Sequence, residues 1–237
     1  MSQSEPIAPR RVLLVGANSG IGAESARHLA RAGHRLFLVA RREKLLEALG
    51  RELGSESFAA DACDRAAMDA AVAEAGRRLG GIDTLVYSAG AARFRPLEST
   101  SPELWREMMG ANLDGLFHAV QATLPSLLAS GRGHVIGVLS VASRHAFGGS
   151  TAYTAAKHGA LGLLDSLRAE VRGRGVHVTA VLPGAVDTPL WDAIEGEWDR
   201  GRMMRPEQVA RVIVSILSES SSGMIEEVRV GPIGGAL

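Results

Sequence analysis

The chain has 237 residues, 46% of them hydrophobic but only 4% aromatic, which is enough for one domain with a core of Ala, Val, Leu and Ile. Lys+Arg and Asp+Glu both number 26, so zero formal net charge excludes a global field that would draw the protein to nucleic acid or anionic lipid. No apolar run reaches the roughly 20 residues of a membrane span, residues 1–10 are polar and Pro-containing rather than a signal sequence, and the single cysteine excludes an internal disulfide. A soluble, cytoplasmic chain is expected, with Cys63 a small half-buried residue and no histidine spacing that suggests a metal site.

Short β-branched runs alternate with longer segments of helical period, the pattern of repeated strand–helix units around a parallel sheet. Strands are expected over residues 11–15, 35–40, 57–60, 84–88, 133–140, 176–182 and 226–230. Helices are expected over 21–32, 43–53, 65–79, 102–130, 150–174 and 206–219. Right-handed crossovers place such helices on both faces of the sheet, giving an α/β, doubly wound, seven-stranded and mostly parallel arrangement. Residues 1–10 read as a tail and 11–237 as one domain. Residues 185–205 lack a clean period and carry Trp191 and Trp198 among charges and glycines, so a loop or short mobile helices near the substrate are expected there.

Directly after the first strand comes Gly16-Ala17-Asn18-Ser19-Gly20-Ile21-Gly22. So tight a turn needs glycine where φ is positive or a side chain would clash, and the helix behind it offers free N–H groups to a pyrophosphate. The spacing is G-x-x-x-G-x-G rather than G-x-G-x-x-G. Together with the features below it resembles the short-chain dehydrogenase/reductase family, over residues 11–230. The resemblance implies a Rossmann-type fold and a nicotinamide cofactor, with Gly16, Asn18, Ser19, Gly20, Ile21 and Gly22 around the phosphates.

At the end of the second strand, a carboxylate suits the free ribose hydroxyls of NAD and an arginine suits a 2′-phosphate. Here the chain reads Val39-Ala40-Arg41-Arg42. A guanidinium binds that phosphate with paired charge-assisted bonds, which favours NADP(H), with Arg41 the main contact and Arg42 a stacking or second partner; NAD(H) stays possible. Further on, Asp61-Ala62 looks like the family's Asp-Val pair beside the adenine, and Ser88-Ala89-Gly90 stands where the family reads Asn-Ala-Gly after the fourth strand.

Tyr153 and Lys157 stand four apart in a helical stretch, so phenol and ammonium share one face. An adjacent cation stabilises a phenolate and lowers its pKa toward neutrality, making acid/base work at a carbonyl or carbinol feasible. In a chain whose only lysines are Lys44 and Lys157, the second invites a specific role. Ser140 ends the preceding apolar strand, thirteen residues before Tyr153, where the family places the serine that bonds the substrate oxygen. By the same resemblance Asn112 holds a proton-relay water, its plainer reading being a bend or cap within a helix, and Lys157 binds the nicotinamide ribose. Pro183-Gly184-Ala185-Val186-Asp187-Thr188 is similar to the family's P-G-x-V-x-T stretch, which gives Pro183, Gly184, Val186 and Thr188 a place along the cofactor.

Two departures from the family stand out. Val15 replaces the usual threonine before the first glycine, and Tyr87-Ser88 replaces the paired asparagines, so an apolar or serine-mediated tie between the two loops is expected. Pocket walls are expected from residues 91–95, 141–147 and 185–198, mixing apolar side chains with Arg93, Arg144 and His145. The partner is then a small carbonyl or alcohol, apolar or acidic. The Ala/Leu-rich helices suggest a homodimer or homotetramer. The rivals are a non-catalytic dinucleotide-sensing regulator and a sugar-nucleotide epimerase, the latter expected to need a larger C-terminal domain.

Overall fold

A computed structural model describes residues 8–218 and 223–235. Seven strands form one sheet: β1 (Arg11–Val15), β2 (Arg35–Ala40), β3 (Glu56–Ala59), β4 (Thr84–Tyr87), β5 (Gly133–Val138), β6 (Val176–Pro183) and β7 (Glu227–Val230). Their order is β3-β2-β1-β4-β5-β6-β7, and all six pairings are parallel. A parallel sheet covered on both faces needs apolar side chains on both, and Val12-Leu13-Leu14-Val15 accordingly divide their burial between two cores.

Leu13 and Val15 face α3 (Arg65–Leu79), α5 (Gly115–Ala129) and α6 (Thr151–Val171), through residues such as Met68, Leu116 and Leu164. Val12 and Leu14 face α1 (Gly20–Arg31), α2 (Glu43–Leu53) and α7 (Pro206–Ser218), through Leu29, Leu46 and Ile213. The expected architecture is therefore present, with more than half of the expected boundaries unmoved and the others shifted by a residue or two, except that the helix expected to end at 174 ends at Val171. The end of the last expected helix, at 219, and residues 1–7 of the expected tail lie outside the described residues.

One element differs in kind. The continuous helix expected over 102–130 is α4 (Pro102–Met109), a π-helical turn (Gly110–Asp114) and then α5. Beside this turn the Tyr87 hydroxyl donates to the Ala111 carbonyl at 3.4 Å and comes so close that a Cβ on Gly115 would sit 2.4 Å from it. In the widened turn Asn112 turns its amide inward and donates to the Met108 carbonyl at 3.0 Å. Residues 185–205 contain two short 3₁₀ turns, Pro189–Ala193 and Arg200–Arg202, and a parallel bridge pairs Val186 with Met204.

At the amino edge of the sheet, opposite the loops discussed next, Asp83 is fully buried and gathers three strands. It accepts from the Arg11 backbone N–H (2.9 Å), Arg11 Nε (3.2 Å) and Arg132 Nη2 (2.8 Å). The arginines are 29% and 40% exposed, so water screens part of this attraction. Asp83→Ala is expected to cost about 2–3 kcal/mol of unfolding free energy, chiefly through the donors it strands, read as a lower urea midpoint at unchanged slope.

Candidate active site

At the carboxyl ends of β1, β4, β5 and β6 the loops enclose a cleft of about 800 Å³. Every residue assigned to a site from sequence lines it except Gly22. Gly22 sits beneath the loop instead, where a Cβ would lie 2.1 Å from the Gly16 carbonyl oxygen, so its role is to let α1 begin directly under the turn.

Two glycines make the loop. Gly16 has φ +88° and a Cβ there would meet the Ala89 nitrogen at 2.4 Å; Gly20 has φ +52° and faces Thr188. Backbone bonds tie the loop to its neighbours, Gly16 N–H donating to the Val39 carbonyl (2.8 Å) and Ser88 N–H to the Val15 carbonyl (2.8 Å). Val15 and Tyr87 are both buried in the core beneath it, so of the two ties expected for the altered loop the apolar one is present.

The arginines after β2 divide. Arg42 lies across the glycine loop, donating to Ser19 Oγ (2.7 Å) and Asn18 Oδ1 (3.2 Å), and so gives that loop the basic group it lacks in sequence. Arg41 stands 3.6 Å from Asp61, largely exposed. Cys63, expected half-buried, is exposed beside them, and desolvation together with Asp61 pushes its thiol up to about 11, too high for a reactive thiolate near neutrality.

At the other end of the cleft are Ser140, Tyr153, Lys157 and Asn112. Ser140 leaves β5 in extended conformation and its Oγ accepts from the Ala142 N–H (3.1 Å), which fixes the hydroxyl at the strand end. Tyr153 and Lys157, one turn apart on α6, are 8% and 5% exposed, with Nζ 5.7 Å from the phenol ring centroid. Asn112 is buried; its Nδ2 donates to the Ala91 carbonyl (2.9 Å) while Oδ1 accepts from the Ala91 N–H (3.3 Å). A Cβ on Gly90 would come within 2.8 Å of Asn112 Oδ1 and 3.5 Å of Lys157 Nζ, so glycine there leaves both groups access to the cleft.

The expected lowering of the Tyr153 pKa is not what this structure shows. Burial pushes the phenol up, and the Ser140 hydroxyl draws it only partly back. Burial also brings Lys157 down to about 8. Its ammonium has no hydrogen-bond partner among the described residues, an unusual state for a buried cation and one that suits polar hydroxyls arriving in the cleft.

The substrate walls also differ from expectation. Ala92, Phe94, Val141, Phe147, Leu190, Trp191, Ile194 and Trp198 line the cleft, but Arg93, Arg144 and His145 do not. Arg93 donates to the Ala193 carbonyl (3.2 Å) and Arg144 to Glu227 (2.8 Å), partners too distant in sequence to be read from it. Arg229, Gly231, Pro232 and Gly235 join the wall unforeseen. The glycines and proline after the last strand were the only signal in sequence that backbone would approach there.

With this geometry in place, likeness to known proteins becomes informative. Residues 10–198 match the family described as short chain dehydrogenase. A D-threitol dehydrogenase of Mycolicibacterium smegmatis is 35% identical over 224 residues, covering 89% of this chain and 86% of that protein. A glycine betaine reductase of Emericella nidulans is 33% identical over 240 residues, 96% of this chain but only 19% of that far longer protein. Among solved structures, an actinorhodin polyketide ketoreductase variant with NADPH superposes with a TM-score of 0.87 at 28% identity, covering 98% of both chains.

The buried lysine carries a stability cost with a defined pH window. Its folded pKa lies near 8, below the ordinary 10.5, so the unfolded chain binds more protons between those values and stability rises with pH across that window. Below about 8 the cost is present in full. Lys157→Met is therefore expected to raise the melting temperature of the ligand-free protein at pH 7 by about 2 °C or more, with the gap to wild type narrowing as pH climbs to 10. Scanning calorimetry at the two pH values checks it; a gap that widens with pH contradicts it.

Proposed function

This chain belongs to the short-chain dehydrogenase/reductase family of nicotinamide-dependent oxidoreductases, and we propose that it is an NADP(H)-preferring member acting on a carbonyl or alcohol with Tyr153 as general acid and base. The observation that carries this reading is a single cleft holding Ser140, Tyr153 and Lys157 at one end and a positive-φ glycine loop crossed by Arg42 at the other.

The residues present fit a dinucleotide. Gly16, Gly20 and Gly90 leave backbone where side chains would fill the cradle, and the start of α1 presents N–H groups behind Asn18, Ser19 and Ile21. Pro183, Gly184, Val186 and Thr188 close the cleft from the β6 side, while Ser88, Ala89, Asp61 and Ala62 form its opposite wall. Arg41 and Arg42 supply cations where a 2′-phosphate is recognised, with no carboxylate at the end of β2 to repel it. The NADPH in the similar ketoreductase structure supports the same preference. NAD(H) serves as the weaker alternative.

Nicotinamide, when bound, supplies or accepts the hydride. The protein does the rest. Ser140 Oγ and Tyr153 Oη hold the substrate oxygen, and Tyr153, kept protonated by burial, gives its proton to that oxygen during reduction. Lys157, cationic below about pH 8, binds the nicotinamide ribose and passes the proton back toward Tyr153. Asn112, at the middle of the π turn and bonded to Ala91, holds the water that relays protons to Lys157. The same reading makes the protein cytoplasmic and a homodimer or homotetramer, the latter supported by Trp105 and Phe117, which α4 and α5 leave 39% and 42% exposed.

Tyr153→Phe is expected to lower kcat by about 10²–10⁴-fold while NADPH binding, read by fluorescence titration, stays near wild type. Arg42→Ala is expected to raise KM for NADPH by about tenfold or more and to change KM for NADH far less. Full turnover in the first variant removes the phenol from the mechanism, and equal effects on both cofactors in the second remove the phosphate contact.

A further inference from the structure

The chain has few aromatic residues, three Trp, two Tyr and five Phe, yet Phe94, Phe147, Tyr153, Trp191 and Trp198 all converge on the reacting end of the cleft. Phe94 is the hub. Its ring meets Phe147 at 5.0 Å and 89°, Tyr153 at 5.7 Å and 71°, Trp198 at 6.3 Å and 75°, and Trp191 at 6.4 Å and 77°. Each is an edge-to-face arrangement, in which the positive rim of one ring meets the negative face of the next. Unlike the fully buried Phe37 and Tyr87, these rings keep exposed area: Phe147 is 45% exposed, and Phe94, Trp191 and Trp198 are half-buried.

Besides Lys157 and Asn112, the polar side-chain groups that the described residues bring to this end are the two reacting hydroxyls, Ser140 and Tyr153, and the indole N–H groups of the tryptophans, of which Trp198 Nε1 is buried without a partner. The Trp191 indole N–H is turned away, donating to the Val186 carbonyl at 2.9 Å. Arg95 pairs with Glu195, and Arg93 reaches the Ala193 carbonyl, so both bind the loop carrying Phe94 to the segment carrying the tryptophans. The described cationic groups lining the cleft are Arg41 and Arg42 at the glycine loop, Lys157, and Arg229, which lies against His145 Nε2 at 3.3 Å. A polyhydroxy substrate would lose its water against the Phe94, Phe147 and Trp191 rings and gain few partners in exchange.

We propose that the substrate carries an aromatic ring next to its carbonyl, and that Phe94 sets this preference by meeting the ring edge to face. The inference rests on the oxidoreductase reading. A planar ring lies against the cleft-facing side of the cluster formed by Phe94, Phe147 and the Trp191–Trp198 pair, whose rings are already in mutual contact, and brings its carbonyl to Ser140 and Tyr153. Saturated rings of the same size fill the space without the edge-to-face attraction.

The test compares NADPH-dependent kcat/KM for acetophenone, cyclohexyl methyl ketone and dihydroxyacetone. Acetophenone is expected to exceed its cyclohexyl counterpart by about fivefold or more, and dihydroxyacetone to be the poorest. Phe94→Leu keeps an apolar side chain without the ring and should bring the aryl-to-cyclohexyl ratio toward one; Phe147→Leu should lower it in the same direction and serves if the first variant fails to fold. A wild-type ratio of one or less, or a ratio that neither variant changes, overturns the proposal. Tryptophan quenching by acetophenone in a Trp105→Phe background separates this from the reading beneath it. If no carbonyl is turned over, the reductase reading fails, and quenching then decides the ring preference: saturable quenching upholds it and purely linear quenching overturns it.

Discussion

The structure depends on the seam between β1 and β4. These strands lie in register from Val12 against Thr84 to Val15 against Tyr87, yet the chain leaves β1 for the face covered by α1 and leaves β4 for the face covered by α5. Chains that part in opposite directions open a crevice at the carboxyl ends of the strands. Everything chemical in the protein is built on that crevice. Its floor is the contact of Gly16 with Ala89, a distance at which no side chain fits. The fixed hand of the crossovers then brings the end of β5, the start of α6 and the turn after β6 to the same edge.

The crevice is made functional at a cost to the fold. A lysine and a tyrosine are buried together where neither has an acidic partner among the described residues, and desolvation acts against the charged form of each. The phenol is thereby held as a proton donor and the ammonium is brought close to neutrality. Asp83, at the far edge of the sheet, is the counterpart: a buried charge fully surrounded by donors, which holds β1, β4 and β5 together away from the chemistry.

Local signals in the sequence survived folding well. The glycine loop and the Tyr153–Lys157 pair depend on neighbours within one turn, and each stands where its spacing puts it, while the strand expected to end at Ser140 stops at Val138 and Ser140 follows it in extended conformation. What was illegible depends on partners far along the chain. The break at Asn112 lies where Tyr87, distant in sequence, meets Ala111 and Gly115, a contact no helical period reveals. Arg93 and Arg144 read as pocket cations because their partners, Ala193 and Glu227, are brought near only by the fold. The direction of the Tyr153 shift is illegible for a related reason: spacing shows the cation but not the burial, and burial pushes the phenol up. The aromatic cluster likewise joins three separate segments, each unremarkable alone.

The most direct measurement follows an isotope. With NADPH deuterated at the transferable C4 position and a carbonyl substrate in ordinary water, the account predicts a single deuterium bonded to the new carbinol carbon, with solvent hydrogen only on oxygen. Product whose carbinol carbon carries hydrogen from water, with the label retained on the cofactor, would contradict hydride transfer in this cleft.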